Sequence, residues 1–213
     1  MNSDPAPAPV GPGRPIDPEL RHRRIADILE VATRRFADVG FSQTNIQSIA
    51  DELQISKGLI YRYFPGKEQL FLSCLEDAVR RLIEAIQSGV DRNKPPLEQL
   101  SQAVLSYLQF FDRHSEVVEL FLQERVFFRD TKQSTYFAHR QANMEPWRDL
   151  LRQLAREKQI QDLPPDHILD HICDLLYGVI FTDRISGRRQ PPEQRHAQIM
   201  NILFHGLLAR PQP

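Results

Sequence analysis

Three groups of residues combine side-chain types and spacings that chemistry uses. Asp166, His167, Asp170, His171 and Asp174 set two imidazoles at i and i+4 with carboxylates beside them. On a helix that spacing puts both rings on one side, an arrangement that suits Zn2+. No His-Glu-x-x-His pattern or third ligand accompanies them, while Ile168, Ile172, Leu175, Leu176 and Val179 run through the same segment. The histidines and acids therefore read as the solvated side of an amphipathic helix, and no metal is expected. His114, Ser115 and Glu116 have the types of a base, a nucleophile and an acid, but neighbours in sequence rarely converge as a triad, so they read as a helix boundary. The third group is cationic and aromatic. Lys57, Tyr61, Arg62 and Lys67 lie in a stretch from Gln54 to Lys67 that holds no acid, the composition of a surface that meets phosphates and base edges.

The elements that must position this third group can be read from Thr44 to Lys67. Ile46, Ile49, Ala50 and Leu53 recur at helical spacing, with Thr44 or Asn45 available to cap the free N–H groups. Gln54 and Ile55 form a turn. Ser56 can cap a second helix whose Ile60 and Phe64 turn inward, leaving Lys57, Tyr61 and Arg62 outward. Pro65-Gly66 ends it, because Pro lacks a donor and Gly permits a sharp change of direction. A short cationic helix beside a supporting helix is the helix-turn-helix arrangement, whose second helix enters the major groove of DNA.

The run GFSQTNIQSIADELQISKGLIYRYFPGKEQLF resembles the DNA-binding signature of the TetR (tetracycline repressor) family. The match is carried by Ser56-Lys57-Gly58, Tyr61-Arg62-Tyr63-Phe64 and Lys67-Glu68. The resemblance implies that Gln47, Lys57, Gly58, Leu59 and Tyr61 reach bases or nearby backbone, and that Asn45, Tyr63 and Lys67 grip phosphates. Two positions depart from the pattern. Gln54 stands where the family usually has Gly and must tolerate positive φ or shift the turn. Leu59 replaces a common Thr or Ser, leaving apolar contact in place of a hydroxyl.

The whole chain has 213 residues, enough for two modest domains and a sizeable core. Its composition, 41% hydrophobic and 26% charged, is that of a globular protein, and no run reaches the ~18 apolar residues of a membrane helix. A formal net charge of −1 confines the basic signal to the stretch just described. Cys74 and Cys173 match no metal spacing and read as buried free thiols. The first residues lack a signal peptide's apolar core, so a cytoplasmic location is expected.

Residues 1–18 are rich in Pro, Ala and Gly and read as a disordered arm. Within it Gly13-Arg14-Pro15 resembles the core of an AT-hook, which would lay Arg14 in a minor groove; a solvated linker is the alternative. Leu20, Ile25, Ile28, Leu29, Ala32, Phe36 and Val39 give a first helix stopped at Gly40, with Arg21, His22, Arg23 and Arg24 near its start placed either on phosphates or in solvent. Residues 19–67 thus form a three-helix DNA-binding domain, and 68–213 a second domain that is helical throughout, making the fold all-α.

Breaks at Pro and Gly divide the second domain into helices at Lys67 to Ser88, Leu97 to His114, Glu116 to Phe128, Phe137 to Lys158, Pro165 to Ile185 and Pro192 to Ala209. Its middle is aromatic, with Tyr107, Phe110, Phe111, Phe121, Phe127, Phe128, Tyr136, Phe137 and Trp147. Any one of them would by default be core. The resemblance implies a body enclosing a small-molecule pocket, for which Tyr107, Phe110, Phe111, Phe121, Phe128, Trp147 and Tyr177 are the candidates. Ile168, Ile172, Leu175 and Val179 on one terminal helix, and Ile199, Ile202, Leu203 and Gly206 on the other, form broad faces that read as a two-fold four-helix interface; the alternative is that they cap the body core. The expected molecule is a homodimeric, effector-responsive regulator, most readily a repressor, binding a palindromic double-stranded DNA operator. It needs no cofactor and carries no catalytic constellation. A helical adaptor or small-molecule carrier without DNA affinity is the other reading.

Overall fold

The computed structural model describes residues 18–128 and 134–206, and the Gly13-Arg14-Pro15 motif, Leu207 and Ala209 lie outside them. The first helix, α1, runs Pro18–Gln43 with a break at Gly40, whose φ of 83° and ψ of 160° leave the helical region. Glycine reaches that conformation without the Cβ clash other residues would meet. The helical ladder lapses there, and two groups of the break are satisfied from a distant helix. The Phe41 N–H donates to Gln123 Oε1 at 2.6 Å, and Gln123 Nε2 donates to the Phe36 carbonyl at 2.8 Å.

After the break come α2, Ile46–Glu52, and α3, Lys57–Tyr63. Asn45 caps α2 by accepting from the Gln47 N–H, while Thr44, buried, donates its hydroxyl to the Gly40 carbonyl. Ser56 caps α3 by accepting from the Leu59 N–H at 3.2 Å. Between them Gln54 takes the left-handed conformation at φ 53°. The expected turn is kept without its glycine, because Ile55 N–H reaches back to the Ala50 carbonyl at 2.9 Å, closing a Schellman motif.

The rest is built from α4, Lys67–Ser88; α5, Pro96–Arg113; α6, Glu116–Phe127; α7, Thr135–Ala142; α8, Glu145–Arg156; α9, Pro165–Ser186; and α10, Pro192–His205. All of the regular elements among the described residues are helices. Leu70, Phe71, Cys74 and Leu75 of α4 are buried under the head, and Ala78, Val79 and Leu82 continue the same stripe into the body, so one core runs from head to body.

Two expectations about helix ends are corrected. The single helix expected from Phe137 to Lys158 is two, interrupted at Asn143-Met144. Pro146, lacking an N–H, is tolerated only in the first turn and so starts α8 anew. Gly206 is the positive-φ cap that ends α10, not a small residue on its packing face. Burying Glu124 explains how α7 starts: its Oε1 accepts from the Thr135 N–H at 2.8 Å and from the Thr135 hydroxyl at 2.6 Å.

Removing the Gln123 amide leaves a partly buried donor and acceptor unpaired, each costing about 1–3 kcal/mol. Gln123→Ala is therefore expected to destabilise the protein by a few kcal/mol, and Gln123→Glu, which sets a carboxylate oxygen against the Phe36 carbonyl, by at least as much. Urea unfolding of the variants checks the order, and a stability unchanged in Gln123→Ala refutes the role.

Candidate nucleic-acid interface and effector cavity

The outer face of α3 is set by what α3 buries. Ile60 is 1% exposed and Phe64 is also buried, so the opposite face carries Lys57, Gly58, Tyr61 and Arg62 to solvent, with Tyr61 41% exposed. Lys57 Nζ stands 5.6 Å from the Tyr61 ring centre, four residues on, and the Arg62 guanidinium lies 5.5 Å from Tyr63. These cation–π pairs hold the long side chains along the helix while leaving their charge outward. Leu59 and Tyr63 are half-buried at its edges. Asn45 and Gln47 are exposed on the neighbouring α2, Asn45 engaged as the cap and Gln47 donating to Asp51 at 2.7 Å.

The two supporting helices are tied by charge as well as by the core. Glu52 at the end of α2 receives Arg35 at 2.6 Å and Arg34 at 3.1 Å from α1. Lys67 differs from its expected surroundings. Its ammonium donates to the Ser42 carbonyl at 3.0 Å and the Thr44 carbonyl at 3.1 Å and sits 4.9 Å from the Phe41 ring centre. It thus locks the start of α4 to the α1–α2 link, with one N–H left over.

The body holds a cavity of about 230 Å³ walled by α4, α5, α7, α8 and α9. Val79, Leu82, Ile83 and Ile86 of α4 form one apolar wall. The structure divides the seven candidate aromatics, and only Tyr107 and Trp147 of that set line this cavity. Phe110 and Phe111 stack edge to face, Phe111 meets Phe121 between α5 and α6, and Tyr177 packs on Phe137 and Phe181. Phe128 stacks on Phe71 at the head. All of them bury area at helical spacing, so type and period could not separate wall from core. The wall also holds Tyr136, Arg140, Cys173, Leu169 and Ile172, none of which sequence reasoning had assigned to it.

The terminal faces are sorted in the same way. Ile172 and Ile199 are buried within the protomer, so their place in the expected interface is corrected: each is already covered by its own chain. Leu175 at 38% and Ile202 at 49% exposure stand out on α9 and α10, with Ile168, Val179 and Leu203 half-buried and Gly178 facing open space. The aspartates beside His167 and His171 are ion-pair partners: Asp166 of Arg148 at 2.7 Å, Asp170 of Arg140 at 2.6 Å. No cluster among the described residues could hold a metal. His114 caps the end of α5, as a boundary residue should.

Residues 28–74 match the family model described as bacterial regulatory proteins, tetR family, and residues 93–207 match the tetracyclin repressor-like C-terminal domain. The chain belongs to the TetR family. The transcriptional regulator HbdR of Aromatoleum sp. (strain CIB) is 31% identical over 104 residues, 49% of this chain; the chain covers 45% of HbdR, less than half its length. The transcriptional repressor KstR2 of Mycolicibacterium smegmatis is 28% identical over 201 residues, 93% of this chain and 96% of that protein. Among solved structures, the fatty acid degradation regulator FadR from Bacillus halodurans superposes with a TM-score of 0.74 at 17% identity, covering 88% of this chain and 97% of FadR. No described helix of this TetR-family chain is long and apolar enough to cross a membrane.

Inward Ile60 and outward Tyr61 separate folding from binding. Ile60→Asp buries an unpaired carboxylate and is expected to unfold the head, whereas Tyr61→Ala is expected to stay folded and bind operator at least several-fold more weakly. Circular dichroism with a mobility-shift assay decides it, and operator affinity unchanged in folded Tyr61→Ala removes that residue from the interface.

Proposed function

We propose that the protein is a homodimeric repressor whose two heads bind a palindromic operator and whose body releases DNA when a small apolar effector enters the cavity. The observation that carries this reading is that one helix, α4, serves both ends: its first turns are packed in the head and its later turns wall the cavity. In this reading residues 19–67 are the DNA-binding unit and 68–213 the effector and dimerisation unit. Lys57, Gly58, Leu59 and Tyr61 meet the major groove, with Asn45, Gln47, Tyr63 and the remaining N–H of Lys67 at the backbone and Arg14 reaching the minor groove. Tyr107 and Trp147 touch the effector.

The repressor role is supported by the name of KstR2, which matches nearly end to end. An apolar effector is supported by the cavity wall and by the fatty acid regulator that shares the fold. The exposed Leu175 and open Gly178 of α9, and the exposed Ile202 of α10, favour a partner helix pair related by a two-fold axis. Two heads then reach successive major grooves if their separation matches one helical turn, roughly 34 Å, or a multiple.

The effector must favour a head spacing that DNA does not, and linkage makes the two antagonise each other equally, typically by 1–3 kcal/mol. Operator fragments captured from genomic DNA, titrated with candidate apolar compounds, test this: the true effector lowers operator affinity by roughly tenfold or more while the dimer persists. A compound bound equally well by free and operator-bound protein is not the effector. The paired variant Leu175→Glu with Ile202→Glu is expected to sediment as a folded monomer and to lose operator binding; a stable dimer would place the interface elsewhere.

A further inference from the structure

A second cavity, of about 290 Å³, opens farther along α5 and α9, where the ends of those helices meet the starts of α6 and α10. No residue lines both cavities: α9 gives Leu169, Ile172, Cys173 and Leu176 to the first, and Val179, Ile180, Asp183 and Arg184 to this one. The buried part of its wall is apolar, formed by Leu108, Phe111, Val118 and Ile180. The outer part is cationic. Gly187, left-handed at φ 67°, ends α9 and turns the chain so that Arg188 and Arg189 join Arg184 and Arg195 on the wall.

Four guanidiniums have fewer carboxylates than they can use. Asp183 serves two of them through the same oxygen, Oδ1, at 2.5 Å from Arg195 and 3.8 Å from Arg188. Arg184 takes Glu119, which lies off the wall, at 2.6 Å. Asp112, exposed, is the remaining acid on the wall, and Arg189 meets no acid among the described residues. Glu116 and Glu193, at the neighbouring helix starts, are off the wall and engaged by His114 and Gln109. Even with Glu119 counted, positive charge exceeds negative by one. The Arg195 side chain is only 16% exposed and its Nε finds no acceptor among the described residues, so a largely buried cation relies on a carboxylate that it shares. A buried cation short of counter-charge favours an anion that enters beside it. One negative charge balances the excess, whereas a phosphate ester brings nearly two beside Asp112 and Asp183. The planar guanidinium fork also matches a carboxylate, and the apolar wall accepts a small ring or chain.

We propose that this second cavity is a binding site for a small organic carboxylate, its apolar body against Phe111 and Ile180 and its charge among Arg184, Arg188, Arg189 and Arg195. The site is separate from the effector cavity and does not rest on the effector reading.

The full-length protein is titrated calorimetrically with benzoate, its neutral isostere benzamide and the dianion phenyl phosphate, with melting temperature as a second readout. Benzoate is expected to bind about tenfold more tightly than benzamide, because hydrogen bonds to a charged group are the stronger ones, and more tightly than phenyl phosphate. Arg188 and Arg189 are exposed on the turn between α9 and α10, so the paired variant Arg188→Gln with Arg189→Gln is expected to stay folded. Its affinity for benzoate is expected to fall by about fivefold or more while that for benzamide holds. Equal binding of benzoate and benzamide by the wild-type protein overturns the anion inference, and this comparison needs no variant to fold. Tighter binding of phenyl phosphate overturns the choice of a carboxylate. Millimolar benzoate that moves neither readout overturns the site. Unchanged benzoate affinity in the folded paired variant overturns the placement, since the effector cavity has arginines of its own in Arg92 and Arg140.

Discussion

The interaction on which the arrangement depends is the grip of one amide side chain on a broken helix. Gly40 takes α1 out of helical geometry so that the chain can turn into α2, and a break inside a packed protein leaves backbone groups seeking partners. Gln123 of α6 satisfies one N–H and one carbonyl at once. Around this bond Phe36, Phe41, Phe71 and Phe128 pack at ring-centre distances of 5.1 to 6.0 Å, and Lys67 closes the cluster over Phe41. The bond fixes direction and the aromatic area supplies the attraction, so the angle of the head on the body is set by side chains from α1, α4 and α6 together.

That junction changes how α4 can act. A link through Pro65-Gly66 alone would let α4 move as a lever that drags α3 behind it. Lys67 bound to the Ser42 and Thr44 carbonyls, and Phe71 set between Phe36 and Phe128, make the first turns of α4 part of the head. In the proposed effector response, a displacement of the cavity wall at Val79 to Ile86 would be carried to α1, α2 and α3 as one body. Packed clusters of this kind shift between discrete arrangements instead of bending continuously, which suits the proposed regulator, whose paired heads would match or miss a fixed groove spacing.

Legibility from sequence followed the range of the interaction. Ser56 caps α3 as its type and position foretold, Asn45, one of two candidates, caps α2, and α4 begins at Lys67 and ends at Ser88, because capping and periodicity are decided within a few residues. The break before Pro146 was also local, marked by a proline inside a long polar stretch. What the sequence could not carry was partner choice. Phe110 and Tyr107 share helical spacing and burial, yet one lines the cavity and the other does not, and Ile172 and Leu175 lie three residues apart with one covered by its own chain and one exposed. Gln123 and Glu124 are polar residues on a helix, unremarkable until the backbone groups they satisfy, on α1 and at the start of α7, are seen in space.

The departures from the family pattern can be weighed in the same terms. A non-glycine residue in the left-handed region costs about 1 kcal/mol, and Gln54 bears that cost at φ 53°. Against it stand the Ile55 N–H bond to the Ala50 carbonyl, the Ser56 cap and the burial of Ile60 and Phe64, each of which holds α3 where a glycine turn would have put it. The sum favours the left-handed turn that Gln54 adopts. Leu59 is a different case. Half-buried at the edge of the outward face, it offers methyl groups where a hydroxyl would have stood, and it does so without altering the backbone. In the proposed reading of DNA by α3, the contact offered at this position is therefore apolar where a hydroxyl would have offered a hydrogen bond.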